Sequence, residues 1–274
     1  MSDRKIDGLS KAAVPILKIH DLDKTFLSEK GNVTALKGVD LTVTKGEFVC
    51  LLGASGCGKS TLLRIIGGFE TPSTGHADIY GSAINGPGPD RGMVFQDYAL
   101  FPWLTVEENI AFGPKHQGRP RAEITKVTEK FMEMVGLTGF RNTFPNALSG
   151  GMKQRVAIAR VLANDADILL MDEPFAALDA LTRAKLQEEL LDIWERTKLT
   201  IIFVTHSVEE AVILSDRVVV MGAGPGHIDS DMTIDLPRPR DPASIPFNDV
   251  RRDVSNKLRS HIAPTVSKKQ MADA

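Results

Sequence analysis

Gly53-Ala-Ser-Gly-Cys-Gly-Lys-Ser60, followed by Thr61, fits a phosphate-binding pattern: Gly, four residues, then Gly-Lys-Ser/Thr. The apolar run Phe48 to Leu52 precedes it, and Thr61 to Ile66 reads as helix. A strand would thus deliver the chain to a tight turn, where Gly56 and Gly58 permit backbone angles that a side chain disfavours. Successive backbone N–H groups then meet a helix N-terminus and form a concave anion site. Gly53, Ser55, Gly56, Cys57, Gly58, Lys59, Ser60 and Thr61 make up that cradle. Lys59 is placed to reach β- and γ-phosphates, and the Ser60 hydroxyl to ligate Mg²⁺. The bland alternative is a Gly-rich turn with a chance Lys-Ser; both flanks speak against it.

Downstream, Ile168-Leu-Leu-Met-Asp-Glu173 is an apolar run ending in two carboxylates. Such a run fits a parallel strand buried on both faces, and ligands bind at the carboxyl ends of those strands. Asp172 would then hold Mg²⁺, and Glu173 would polarise an attacking water; the alternative is a solvated pair. Leu148-Ser-Gly-Gly-Met-Lys-Gln-Arg155 leads into a helix, so Ser149, Gly150 and Gly151 offer either a second anion-binding terminus or an ordinary N-cap. Asp179 opens the next helix, and Thr200 to Thr205 is another buried strand, ending at His206. Gly92 to Gln96 reads as a strand whose polar end is a surface amide or a reach into the nucleotide site. Phe26, at a strand end, is either core or a stacking surface for an adenine.

The rest of the chain frames these motifs. A net charge of −2 over 274 residues gives no reason to expect a nucleic-acid partner. No apolar run is long enough to span a bilayer, and Met1 to Ala13 lacks a signal-peptide core, so a cytoplasmic location is expected. The two cysteines, Cys50 and Cys57, read as reduced small residues. Residues 1–15 are expected to be disordered. Short strands at Ile16–His20 and Val39–Val43 suggest an antiparallel layer beside a parallel sheet. From about 97 to 160 the pattern is helical, with a capping box at Thr105-Val-Glu-Glu108 and large apolar groups at Leu100-Phe-Pro-Trp-Leu104. Arg217 to Met221 is the last core strand expected. Beyond 230 lie a Pro-punctuated linker, Leu236 to Pro242, and a helix with the stripe Phe247, Val250, Val254, Leu258 and Ile262. The last ten residues are expected to be disordered.

The order of these motifs resembles the ATP-binding subunit of ABC transporters, over residues 16 to about 225. The resemblance implies an α/β P-loop NTPase with a RecA-like parallel sheet core, an antiparallel β layer and a helical subdomain, all within 16–230. It implies that ATP and Mg²⁺ are bound and ATP is hydrolysed. Phe26 would stack on adenine. Gln96 would contact Mg²⁺ and the attacking water. Ser149, Gly150, Gly151 and Asp179 would meet ATP across a head-to-tail homodimer. His206 would hydrogen-bond the γ-phosphate, with Glu173 as the general base.

Finer resemblance lies in Ile84-Asn-Gly-Pro-Gly-Pro-Asp-Arg-Gly92, Phe101-Pro-Trp-Leu-Thr105 and the Pro-Arg-Pro-Arg tail. These look like the nitrate, sulfonate and taurine importer group, and imply permease subunits, a solute-binding protein and the cytoplasmic face of a bacterial plasma membrane. Phe101 replaces a commoner Leu, Met152 a frequent Gln, and Ser207 a usual Asp. The competing readings are another transporter, for lipid or export, and a non-transport ATP switch.

Overall fold

The computed structural model describes residues 14–28, 31–176 and 178–260. In chain order the elements begin with strands β1 (Pro15–Phe26), β2 (Val33–Thr44) and β3 (Phe48–Gly53), then helix α1 (Lys59–Ile66). Strands β4 (Thr74–Ile79), β5 (Ser82–Ala83) and β6 (Arg91–Val94) follow. Three helices come next: α2 (Val106–His116), α3 (Arg121–Met134) and α4 (Gly150–Ala163). The rest is β7 (Ile168–Asp172), α5 (Ala180–Thr197), β8 (Thr200–Thr205), α6 (Val208–Leu214), β9 (Arg217–Gly222), β10 (His227–Thr233) and α7 (Ile245–Ser260).

Two sheets organise these elements. The larger has the order β10-β9-β3-β8-β7-β6, parallel except for β10, and the smaller is antiparallel, β2-β1-β4-β5. Every residue of β3 and β8 is buried because both faces of the parallel sheet are covered. Alternation decides which side each residue serves. Phe48, Cys50, Leu52, Ile201 and Phe203 join the core under α4, α5 and α6. Val49, Leu51, Ile202 and Val204 join the core shared with α1 and the antiparallel sheet. This is the expected architecture of parallel core, antiparallel layer and helical insert. Thr105 and Glu108 form the expected capping box, each side chain accepting from the other's backbone N–H at 3.3 Å and 2.9 Å.

Several boundaries differ from expectation. Pro15 opens β1 rather than closing a disordered segment, while residues 1–13 lie outside the described set. β9 is not the last strand: β10 pairs with it antiparallel and runs through the expected boundary at 230. The short polar stretch His227-Ile-Asp-Ser-Asp-Met-Thr233 hides this edge strand, since only one neighbour and one face are needed to hold it.

The Pro-punctuated tail is anchored rather than free. The Arg240 guanidinium donates to the carbonyls of Val212 (2.7 Å), Ser215 (2.6 Å), Ile234 (3.2 Å) and Leu236 (3.0 Å). Arg238 donates to Asp216 Oδ1 and the Leu214 carbonyl, both at 2.6 Å, and lies over the Trp194 ring. These two arginines satisfy carbonyls that a helix C-terminus leaves open. Burial and the neighbouring Arg238 push the Arg240 pKa down to about 10, so it remains cationic at neutral pH. Phe247 and Val254 of α7 are buried, and Val250 and Leu258 pack against the same core. Ile262, from the same expected stripe, lies outside the described residues. Replacing Arg240 by Ala is expected to cost about 2–3 kcal/mol, because several inward carbonyls lose a charged donor together. Urea unfolding of both proteins checks this.

Candidate functional site

The phosphate loop leaves the carboxyl end of β3 at the centre of the parallel sheet. Gly56 and Gly58 have φ of +80° and +94°, and Gly58 is the N-cap of α1. A Cβ on Gly58 would lie 2.9 Å from the Ala35 carbonyl, so the loop's path needs glycine there twice over. The loop frames an open cleft of about 200 Å³ lined by Ala35, Ser55, Gly56, Gly58, Lys59, Ser60, Thr61 and Glu173. Gly53 and Cys57 form the loop's buried floor. Lys59 is only 5% exposed and donates its ammonium to the carbonyls of Gly53 and Ala54, both at 2.9 Å. That ammonium is stationed beside the anion cradle.

The neighbouring strand ends bring the other candidates in. Ser60 Oγ donates to Asp172 Oδ1 at 2.9 Å, placing a hydroxyl and a carboxylate side by side. Two hard oxygen donors suit a small dication such as Mg²⁺. Glu173, next in the chain, has φ of +46° and donates its backbone N–H to the Val204 carbonyl of β8. A left-handed conformation at a non-glycine strand end costs energy, and such strain collects at working sites. Glu173 Oε2 lies 3.0 Å from His206 Nδ1, which joins the ends of β7 and β8.

Other expected site residues stand apart from this cleft. Gln96 is exposed just beyond β6 and is not in the cleft wall. Phe26 ends β1 with 39% exposure, beneath the Lys24 ammonium at 4.8 Å. Ser149 is the exposed N-cap of α4, accepting from Met152 N–H, with Gly150 and Gly151 in the first turn. Asp179 is the exposed N-cap of α5; the Thr182 backbone N–H holds its carboxyl below the usual range. Within one chain, then, Ser60, Asp172, Glu173 and His206 converge, while the two N-caps are exposed and are not among the residues that line the cleft.

Two features escaped the sequence reading. The buried Asn109 on α2 accepts from Phe101 N–H and donates to the carbonyls of Phe101, Leu104 and Thr105, pinning the Phe101–Trp103 loop. Trp103 is left 70% exposed beside an open groove of about 390 Å³ that includes Phe101, Phe112 and Arg160. The second is Glu210, buried on α6, whose Oε2 accepts from the Thr205 hydroxyl at 2.6 Å. Burial pushes its carboxyl up, against the opposing influence of Thr205 and Arg183. An acid four residues after His206, followed by the apolar run Ala211 to Leu214, was the available signal.

A phosphate loop on a parallel sheet, with carboxylates at the adjoining strand end, defines a P-loop nucleoside triphosphatase. The family model for ABC transporters matches residues 36–176. An uncharacterized ABC transporter ATP-binding protein of Methanocaldococcus jannaschii is 53% identical over 90% of this chain and 92% of its own length. The nitrate import ATP-binding protein NrtD of Synechocystis is 51% identical over 81% of this chain and 83% of its own. The bicarbonate transport ATP-binding protein CmpD of the same organism is 48% identical over 82% and 81%. A dimeric ATP-binding cassette, solved in a post-hydrolysis state with ADP and Pi, superposes with a TM-score of 0.70 at 34% identity, over 81% of this chain and all of that one. The chain belongs to the ABC transporter family, and it is an ATP-binding, ATP-hydrolysing subunit of that family. Among the described residues, no helix is long and apolar enough to cross a membrane.

Proposed function

We propose that the chain energises import of a small oxyanion such as nitrate or bicarbonate, from the cytoplasmic face of the membrane. The observation that carries the catalytic part is the Glu173–His206 pair at the mouth of the phosphate-loop cleft. In this reading the loop N–H groups and Lys59 hold the phosphates. Ser60 and Asp172 would hold Mg²⁺, which would supply positive charge against the phosphate oxygens. Glu173 accepts a proton from the water that attacks the γ-phosphorus, and the bond to the β–γ bridging oxygen breaks. His206 orients Glu173 and donates to the γ-phosphate. Gln96 would reach the metal and water, and Phe26 would stack on adenine, after closure around ATP.

Both N-caps are exposed and lie outside the cleft lining, and a second copy would give them an ATP to meet. Ser149, Gly150, Gly151 and Asp179 are proposed to meet the ATP held by the partner of a head-to-tail homodimer, so that each cleft is completed from outside. The Asn109-pinned loop with exposed Trp103 is proposed to receive a helix of the permease. One relative's nitrate import and another's bicarbonate transport support the oxyanion class; taurine and sulfonates rest on the sequence resemblance alone.

Reconstitution with the permease and a panel of solutes tests the proposal. The panel holds nitrate, bicarbonate, taurine and an alkanesulfonate with their binding proteins, and an amino acid as control. ATPase stimulation by nitrate or bicarbonate is expected. Hydrolysis indifferent to every solute would return the partner question to lipid transport or a soluble switch.

A further inference from the structure

The buried carboxylate of Glu210 has no part in the mechanism above, yet it sits one turn from His206. Its two oxygens face different elements. Oε2 accepts from the Thr205 hydroxyl, and Thr205 Oγ1 in turn accepts from the backbone N–H of Ser207 at 3.0 Å. These contacts straddle His206 on both sides. Ser207 closes the loop by accepting from the Glu210 backbone N–H at 3.3 Å. Oε1 of Glu210 lies 3.7 Å from Arg183 Nε, and Arg183 Nη2 donates to the Leu178 carbonyl at 2.9 Å. Leu178 precedes Asp179, the N-cap proposed to lie at the dimer interface. A continuous polar path therefore runs from the Asp179 turn through Arg183, Glu210 and Thr205 to the residues on either side of His206.

We propose that Glu210 is a positioning residue that ties the Asp179 turn to the His206 loop, so that docking of a second subunit at Asp179 holds His206 in the place it already occupies against Glu173. The inference rests on the reading of Glu173 and His206 given above. Burial explains why the tie is effective. A hydrogen bond in a dry site is stronger than one in water, and an acceptor left unpaired there is costly, so the loop has few alternatives. Arg183 faces the carboxylate from α5, His206 from the loop and Glu173 from the end of β7, so the group sits within the electrostatics of the site it positions.

The test measures kcat, KM for ATP and equilibrium ATP binding for the full chain and for Glu210→Ala, Glu210→Gln, Thr205→Val and the double Glu210→Ala/Thr205→Val. Glu210→Ala and Thr205→Val are each expected to lower kcat by about 10- to 100-fold, the scale on which misplacing a catalytic group acts. KM should stay within about twofold. Glu210→Gln, whose amide oxygen still accepts the Thr205 hydroxyl, should recover most of the rate. The double variant should be little worse than the more damaging single, because both break the same Glu210–Thr205 link. Unchanged kcat in Glu210→Ala, additive losses in the double variant, or kcat and ATP binding falling together without rescue by Gln would each overturn the proposal. If Glu210→Ala fails to fold, Thr205→Val against Thr205→Ser reads the same contact: a loss with Val that Ser restores supports the tie, and no loss with Val refutes it. Glu173→Gln and His206→Ala are assayed alongside. Intact hydrolysis in those two would refute the site reading; their loss with Glu210→Ala and Thr205→Val unaffected would refute only the tie.

Discussion

Glu173→Gln is expected to cut ATP turnover by about 10²–10⁴, the usual worth of a general base, while ATP binding is retained. The substitution is isosteric, so the side chain still fills its place between the ends of β7 and β8. Its amide can still hydrogen-bond His206, now 3.0 Å from the carboxylate, but it cannot take a proton from water. The backbone strain at φ +46° is unchanged, since Gln and Glu share their backbone preferences. Phosphate release with the permease present, set beside equilibrium ATP binding, separates chemistry from affinity. Near-normal hydrolysis by this variant would remove Glu173 from the base role and leave the cleft as a binding site only.

Lys59→Ala acts on the other half of that measurement. The ammonium is buried and rests on two carbonyls of its own loop until phosphates arrive. Charge-assisted contacts of this kind are worth up to ~3 kcal/mol, so ATP affinity is expected to fall by about 10²-fold. A second effect accompanies the first. Without the ammonium, the carbonyls of Gly53 and Ala54 each lose a charged donor, and the cradle's own shape is less firmly held. Equilibrium binding of ATP decides the matter; affinity within a few-fold of the parent chain would mean the loop N–H groups alone hold the phosphates.

The parallel sheet was legible because burial on both faces writes itself as unbroken apolar runs, as in Phe48–Leu52, Ile168–Met171 and Thr200–Thr205. The phosphate loop and the Asp172–Glu173 end were legible for a different reason: their chemistry requires particular residues at fixed spacing. Where the structure relies on an edge or on side chains reaching across sequence, the signal fades. β10 carries only scattered apolar residues because one of its flanks is unpaired, and it was passed over. Arg238 and Arg240 read as part of a Pro-punctuated linker because these partners, the Asp216 carboxylate and the carbonyls of Leu214 and Val212, lie some 22 to 28 residues earlier, which no local pattern marks. Glu210 was not singled out in the sequence, since its burial and its contact with Thr205 arise only in the fold. The reach of Ser149 and Asp179 is a separate matter: their lone N-cap geometry is complete within the chain, and only the resemblance to a family assigns them a partner's ATP.

The arginine-fastened tail changes what counts as the minimal chain. A protein shortened to end near residue 230 would cut β10 partway, bare the Trp194 ring and strip the donors from the carbonyls that end α6. Since α6 begins two residues after His206, the loosened end belongs to the same short helix as the site. Segments sharing such contacts open together rather than one by one. Residues 231–260 are thus the fastening that gives the His206 loop a fixed backing.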